Sequence, residues 1–270
     1  MAIIKIENRT VNVEQWNEGA TETLVLLHGF TGTAASWEGL AKLLPKVHIV
    51  AVDLIGHGKS DYPTESALYE MDVQIKLLNK TFTKLQLTSF YLLGYSMGGR
   101  IALSYAMQYP LHIKKLLLES ASPGLQQLEE RQARMESDEA LAQFIEHQGI
   151  EAFVNRWENI PLFATQKALP QVIQQQIRSE RLSQSTTGLA NSLRGIGTGK
   201  MPAMWGNLPE LLIPVHLFVG ELDEKFVRIA EQMKNLLANA QITQFNGCGH
   251  AIHVENLTQF ATIVKESISN

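Results

Sequence analysis

The chain has 270 residues, of which 45% are hydrophobic and 19% are charged, and its formal net charge is −4 at pH 7. This composition is typical of a globular protein that is long enough for one large α/β domain with an insertion. The slightly acidic balance gives no reason to expect nucleic acid or an anionic membrane surface as a partner. The single cysteine, Cys248, excludes an intrachain disulfide and fits a reducing compartment.

The N-terminus and the hydropathy pattern favour a cytoplasmic protein. The first seven residues contain no basic segment followed by an apolar core, so no secretory signal is expected. No apolar stretch reaches the length of a membrane span. We therefore expect a cytoplasmic protein with a small-molecule partner, and both a monomer and a dimer remain open.

The first part of the chain alternates predicted strands and helices. Residues 3–6 and 11–16 alternate in hydrophobicity on either side of a polar turn, which predicts an antiparallel hairpin at a sheet edge. The next predicted elements are a strand over 23–27, a helix over 35–44, a strand over 48–52, a helix over 69–85, a strand over 90–93, a helix over 101–107 and a strand over 114–119.

The pattern changes after residue 121. Residues 122–200 contain polar helical stretches without a convincing strand, and about 80 residues is far too long for an ordinary connection. The alternation then resumes with a strand over 215–219, a helix over 226–237, a strand over 241–245 and a helix over 258–267. We predict a core domain of residues 1–121 and 201–270 and a helical cap insertion of residues 122–200.

The alternation predicts a mostly parallel, eight-stranded sheet with helices on both faces. In such sheets the functional site lies at the carboxyl ends of the strands. Ser96, Asp223 and His250 each follow a predicted strand. We therefore expect these three side chains at the same edge of the sheet.

A Gly-x-Ser-x-Gly motif lies between the predicted strand over 90–93 and the helix that follows it. A strand that turns directly into a helix forces Ser96 into a strained conformation, and Gly94 and Gly98 leave room for the turn. The helix start directs the Met97 N–H towards any developing anion. The alternative is a glycine-rich turn with a solvated serine, but strand, spacing and helix together favour a nucleophile elbow.

The chain resembles the α/β-hydrolase family over nearly its whole length. The motifs that carry this resemblance are His28-Gly29-Phe30, Gly56-His57-Gly58-Lys59-Ser60, the elbow, Gly220-Glu221-Leu222-Asp223 and Gly249-His250. The resemblance implies that His250 takes the Ser96 proton while Asp223 holds the imidazole in the useful tautomer. It also implies an oxyanion hole made by the N–H groups of Phe30 and Met97.

Other polar residues near these motifs have different expected roles. Glu221 is the nearest competitor of Asp223 as the acid. We expect His28 to shape the oxyanion loop, His57 to be structural, and His253 to be a neighbour of the site or a surface residue. No histidine pair has a suitable spacing to carboxylates, so the sequence indicates no metal site and no cofactor.

Arg100 indicates the class of substrate. It lies four positions after Ser96, one helical turn or about 6 Å along the axis, and can face the same cavity. The predicted cap contributes Arg131, Arg134, Arg156, Arg178, Arg181 and Arg194. Several arginines above the serine would suit a ligand with more than one carboxylate, because guanidinium groups bind carboxylates through paired hydrogen bonds.

The elbow and the predicted cap also resemble one branch of the family, the 2-succinyl-6-hydroxy-2,4-cyclohexadiene-1-carboxylate synthases of menaquinone biosynthesis. The motifs are Gly94 to Arg100, Ser122 to Gln126, Glu129 to Arg134, Trp157, Pro161-Leu162-Phe163, Arg181 and Gly220 to Phe226. The resemblance implies a lyase that eliminates pyruvate from a tricarboxylate. Arg100, Arg134 and Arg181 would hold carboxylates, and Tyr95 and Trp157 would contact the ring or acid arms.

Three points remain open. Arg131 is an alternative to Arg134 as a carboxylate ligand. A serine hydrolase could use the same residues to cleave a carboxylate-bearing ester, thioester or carbon–carbon bond by acyl transfer through Ser96. A ligand-binding module without catalysis is a third possibility, although binding alone does not need all three members of a triad.

Overall fold

The computed structural model describes residues 2–269 and contains one eight-stranded sheet with the strand order β1-β2-β4-β3-β5-β6-β7-β8. The strands are β1 (Ala2–Ile6), β2 (Arg9–Trp16), β3 (Glu22–Leu27), β4 (Val47–Val52), β5 (Phe90–Tyr95), β6 (Ile113–Glu119), β7 (Val215–Gly220) and β8 (Ala240–Phe245). Strand β2 is antiparallel to both β1 and β4, and all other neighbours are parallel. The predicted mostly parallel sheet is confirmed.

The helices occupy both faces of the sheet and the long connection between β6 and β7. They are α1 (Glu38–Leu43), α2 (Met71–Lys84), α3 (Met97–Gln108), α4 (Leu128–Trp157), α5 (Gln171–Leu182), α6 (Thr186–Ile196), α7 (Glu224–Leu236), α8 (Ile252–Glu255) and α9 (Leu257–Ser269). The helix predicted over 35–44 is a 3-10 turn, Ala34–Trp37, that continues as α1, and α8 was not predicted. No helix within residues 2–269 is long and apolar enough to cross a membrane.

The central strands are apolar over most of their length because both faces of the sheet are covered. Alternate residues of β3 point to opposite faces, so Val25 and Leu27 pack with α2, α3 and α7, whereas Leu24 and Leu26 pack with α1 and α9. The sheet therefore lies between two hydrophobic cores.

The helices between β6 and β7 have a hydrophobic cluster of their own. Helices α4 and α6 pack through Ile145, Phe153, Leu189 and neighbouring residues, and Gly149 breaks α4 with a φ of 79°. We refer to α4, α5 and α6 as the cap helices. The division into a core of residues 1–121 and 201–270 and a cap of residues 122–200 stays a prediction.

Candidate active site

The backbone at Ser96 has the geometry of a nucleophile elbow. Ser96 lies between β5 and α3 with φ of 50° and ψ of −107°, a conformation that non-glycine residues rarely adopt. A Cβ atom at Gly94 would collide with the carbonyl of Gly98, and one at Gly98 would collide with the carbonyl of Leu27. The two glycines are therefore required by close backbone contacts, which accounts for their spacing around Ser96.

Ser96, His250 and Asp223 form a continuous hydrogen-bonded chain. His250 Nε2 lies 3.0 Å from Ser96 Oγ, and His250 Nδ1 lies 2.6 Å from Asp223 Oδ2. Because the Asp223 carboxylate accepts from Nδ1, the Nε2 atom is left free to accept the serine proton. The His250 ring is 2% exposed, and the Phe226 ring packs 4.6 Å from it, centroid to centroid.

The structure separates the two candidate acids. Asp223 is buried at the turn between β7 and α7 and contacts His250. Glu221 is exposed, and its Oε2 accepts a hydrogen bond of 2.8 Å from the Gly247 N–H. Only Asp223 of this pair is in a position to orient the imidazole.

The two residues predicted to supply the oxyanion donors line the same cavity as Ser96. Met97 is the first residue of α3, so its N–H has no acceptor within the helix. Phe30 follows β3, and both Phe30 and Met97 line the cavity into which Ser96 opens. Two backbone N–H groups at this place can stabilise an oxyanion formed beside Ser96.

His28 holds the loop that carries Phe30. The Leu54 N–H donates to His28 Nε2 at 3.0 Å, so the ring proton is on Nδ1, which donates to the Gly29 carbonyl at 2.8 Å. Burial lowers the pKa of His28 and lowers that of the neighbouring His57 to about 3. Both rings are therefore neutral and act in packing and hydrogen bonding.

A cavity of about 200 Å³ lies above Ser96, between the sheet edge and the cap helices. Of the five predicted substrate-binding residues, Tyr95, Arg100, Arg134 and Trp157 line it. Its apolar wall includes Phe30 and Trp157, whose ring centroids are 5.4 Å apart. The cavity can thus hold a small ring against aromatic side chains and near charged ones.

Arg100 and Arg134 place positive charge at this cavity. Arg100 Nη1 donates to Thr198 Oγ1 at 2.8 Å, and Arg134 Nε donates to Asp138 Oδ1 at 2.8 Å. Burial, with a smaller contribution from Arg134, lowers the pKa of Arg100 to about 10. The two cations repel each other, so an anion that entered between them would be stabilised.

Arg181 is not brought to this cavity. It is buried on the other side of Phe163, with its guanidinium 4.7 Å from that ring and Nη2 donating to Gln166 Oε1 at 3.0 Å. The remaining cap arginines have other contacts: Arg131 with the Gly199 carbonyl, Arg156 with the Phe144 ring, Arg178 with Glu158, and Arg194 with Glu139 and Glu146. Arg134 is therefore the only one of the six that lines the cavity.

Two charged residues at this site were not predicted from the sequence. Lys225 lines the cavity from α7, two positions after Asp223, and no carboxylate within residues 2–269 forms an ion pair with it. Glu119 ends β6 and binds His253, which is buried beside Tyr95 rather than at the surface. The available signals were an acid directly after the apolar run Leu116–Leu118, and a lysine inside the Asp223 motif.

No group of three or more His, Cys, Asp and Glu side chains in residues 2–269 is arranged to hold a metal ion. The site consists of the hydrogen-bonded side chains of Ser96, His250 and Asp223, two backbone N–H groups and three cationic side chains.

Comparison with known proteins gives consistent results. A family model described as alpha/beta hydrolase fold matches residues 22–257. A Bacillus subtilis (strain 168) protein with the provisional name 2-succinyl-6-hydroxy-2,4-cyclohexadiene-1-carboxylate synthase is 44% identical, over 93% of this chain and 92% of that protein. The synthase of that name from Enterobacter sp. (strain 638) is 32% identical over 86% of each chain.

Solved structures show the same likeness. MenH from S. aureus is 38% identical and superimposes with a TM-score of 0.91 over 96% of this chain and 99% of that chain. The enol-lactonase from Burkholderia xenovorans LB400 has a TM-score of 0.87 over the whole of both chains but is only 16% identical. The second likeness is one of fold alone.

Proposed function

We propose that this chain, which belongs to the alpha/beta hydrolase fold family, is a 2-succinyl-6-hydroxy-2,4-cyclohexadiene-1-carboxylate synthase, a carbon–oxygen lyase. It eliminates pyruvate from 2-succinyl-5-enolpyruvyl-6-hydroxy-3-cyclohexene-1-carboxylate. The observation that carries this proposal is a hydrogen-bonded Ser96–His250–Asp223 chain facing a cavity lined by three cationic side chains. The cytoplasmic location expected from the sequence remains part of the proposal.

The charges of the cavity match those of this substrate. The substrate carries one carboxylate on the ring, one on the succinyl arm and one on the enolpyruvyl group. The cavity is lined by Arg100 from α3, Arg134 from α4 and Lys225 from α7. Asp138 is the carboxylate bonded to Arg134, and burial raises its pKa.

Proton abstraction is the first step. His250 Nε2 takes the proton of the Ser96 hydroxyl, and Asp223 stabilises the resulting imidazolium. Ser96 Oγ then takes the proton from the ring carbon next to the succinyl ketone, so the hydroxyl is restored. The electron pair moves onto the ketone oxygen, where the N–H groups of Phe30 and Met97 stabilise the enolate.

Loss of the leaving group completes the elimination. The enolate re-forms the ketone, a second carbon–carbon double bond forms in the ring, and the bond from the ring carbon to the enolpyruvyl oxygen breaks. The imidazolium of His250 returns its proton to the departing enolate, which becomes pyruvate. Proton and charge therefore balance without any further reactant.

The direct test supplies the purified protein with the enolpyruvyl precursor and follows pyruvate and the diene absorbance together. We expect both to appear in equal amounts and in proportion to enzyme. The competing function, acyl transfer through Ser96, uses the same three side chains. It would be favoured if neither product formed while an activated ester gave a burst and a trapped acyl group on Ser96.

Replacing Arg100 with Gln is expected to reduce kcat/KM. A charged hydrogen bond contributes about 1.5–3 kcal/mol, which corresponds to a loss of roughly 10- to 150-fold. The control is Arg156→Gln, because Arg156 is exposed on α4 and lies outside the cavity. Steady-state kinetics of pyruvate release measure both variants, and equal values for the two would contradict a role of Arg100 in binding.

Replacing Lys225 with Gln is expected to raise KM about three- to tenfold, because an exposed lysine contributes less than a half-buried arginine. The control is Lys234→Gln, an exposed lysine in the last turn of the same helix. The dependence of kcat/KM on salt should also become weaker in the Lys225 variant, since one steering charge is lost. Identical salt profiles for the two variants would exclude Lys225 from substrate binding.

A further inference from the structure

Glu119 contacts both segments that carry the proton-transfer pair. It is the last residue of β6 and is 0% exposed. Its backbone carbonyl accepts a hydrogen bond of 2.8 Å from the Ser96 N–H. Its carboxylate accepts from the backbone N–H of His253 at 3.0 Å, and His253 Nδ1 lies 2.8 and 2.9 Å from the two carboxylate oxygens.

Two carboxylates bind the backbone of the segment around His250, Glu255 from within the segment and Glu119 from the sheet. Glu255 accepts hydrogen bonds from the N–H groups of Gly249 and Ala251, at 2.6 and 3.2 Å. These bonds only stabilise the segment internally, because Glu255 belongs to the adjoining helix α8. The Glu119 carboxylate, by contrast, belongs to the sheet, so its bonds to His253 fix the segment relative to the strand beside Ser96.

The surroundings of Glu119 and His253 indicate that their contact orients the segment and does not only fill space. The His253 ring lies between Trp37 and Tyr95, at centroid distances of 4.6 and 4.7 Å, and the Tyr95 ring lies 5.5 Å from that of His250. A buried carboxylate costs free energy unless it is fully hydrogen-bonded, and an apolar pair of similar volume would pack at least as well. Hydrogen bonds are directional, whereas apolar contacts are not. The bonds between Glu119 and His253 can therefore define the position of the neighbouring His250.

We propose that Glu119 is a positioning residue that sets the 3.0 Å contact between Ser96 and His250, through its backbone on one side and through His253 on the other. This inference rests on the proposed roles of Ser96 and His250 in proton transfer. A displacement of about 1 Å of a reacting group can cost about 100-fold in rate, so loss of this attachment should reduce kcat.

The test compares Glu119→Ala with Glu119→Gln. Alanine removes the acceptor, whereas the glutamine carbonyl can still accept from the His253 backbone and ring N–H groups. We expect Glu119→Ala to lower kcat about 10- to 100-fold with KM within about twofold, since Arg100, Arg134 and Lys225 are untouched. Glu119→Gln should recover most of the loss. An unchanged kcat in the alanine variant, or an equal loss in the glutamine variant, would overturn the proposal.

A stability control separates positioning from folding. His216→Leu removes the hydrogen bonds of another buried histidine, which binds Ser267 and Thr243 at the far end of β7. It should lower the thermal midpoint and leave kcat per folded molecule unchanged. If Glu119→Ala does not fold, His253→Phe is measured in its place. This change keeps an aromatic ring between Trp37 and Tyr95 but removes Nδ1. We expect its kcat to fall with little change in KM.

A second readout does not depend on the proposed substrate. A fluorophosphonate reacts with a serine whose proton is taken by a histidine, so its second-order rate with Ser96 measures the contact with His250 directly. We expect slower labelling in Glu119→Ala than in wild type and near-normal labelling in Glu119→Gln. If wild type is labelled but releases no pyruvate, the proposed function fails while the inference about Glu119 is still decided by these rates.

Discussion

Replacing Ser96 with Ala is expected to lower kcat for pyruvate release by about 1,000-fold or more, because general base catalysis contributes up to about 10,000-fold. The alanine methyl group cannot accept the ring proton. The cations of the cavity are unaltered, so the affinity for the diene product should change by less than about twofold. Stopped-flow absorbance measures turnover, and calorimetry measures product binding.

Ser104→Ala is the matched control for this change. Ser104 lies two turns further along α3, and its hydroxyl donates to the Met204 sulfur rather than facing the cavity. We expect its kcat to equal that of wild type. Full activity in the Ser96 variant would remove this hydroxyl from the reaction and leave His250 as the base.

Much of the fold could be predicted because its signals are local. Three signals at one place in the chain predict the same nucleophile elbow: the apolar run of β5, the glycines around Ser96 and the periodicity of α3. Their spacing is required by the close backbone contacts at Gly94 and Gly98. The hairpin of β1 and β2 and the parallel strands were likewise predictable from hydrophobic periodicity. The short helix α8 was missed because four residues carry no periodic pattern.

The site was only partly predictable because side-chain direction depends on tertiary packing. Arg134 and Arg181 have similar sequence signals, but Arg134 faces the cavity, whereas the Phe163 ring separates Arg181 from it. Glu119 and His253 are 134 positions apart in the chain, so no local pattern relates them. The roles of all these residues in catalysis stay predictions.

The charge of the cavity explains how a hydrolase scaffold can serve an elimination. An ester hydrolase needs its oxyanion hole for a tetrahedral intermediate, and the same two N–H groups can stabilise an enolate. What differs is the ligand that the cavity accepts. Arg100, Arg134 and Lys225 enter it from three different elements, so a flexible acid with three carboxylates would be held with its ring above Ser96.

Replacing Asp223 with Asn is expected to lower kcat by about 1,000- to 10,000-fold, because the change reverses the tautomer of the histidine. An amide N–H₂ facing His250 Nδ1 makes that atom an acceptor and moves the ring proton to Nε2. His250 then donates to Ser96 and can no longer take its proton. The control is Glu221→Gln, which changes the exposed competitor that binds the Gly247 N–H and should leave kcat unchanged. Steady-state kinetics with the precursor compare the two variants, and a larger loss in the Glu221 variant would reverse the assignment of the acid.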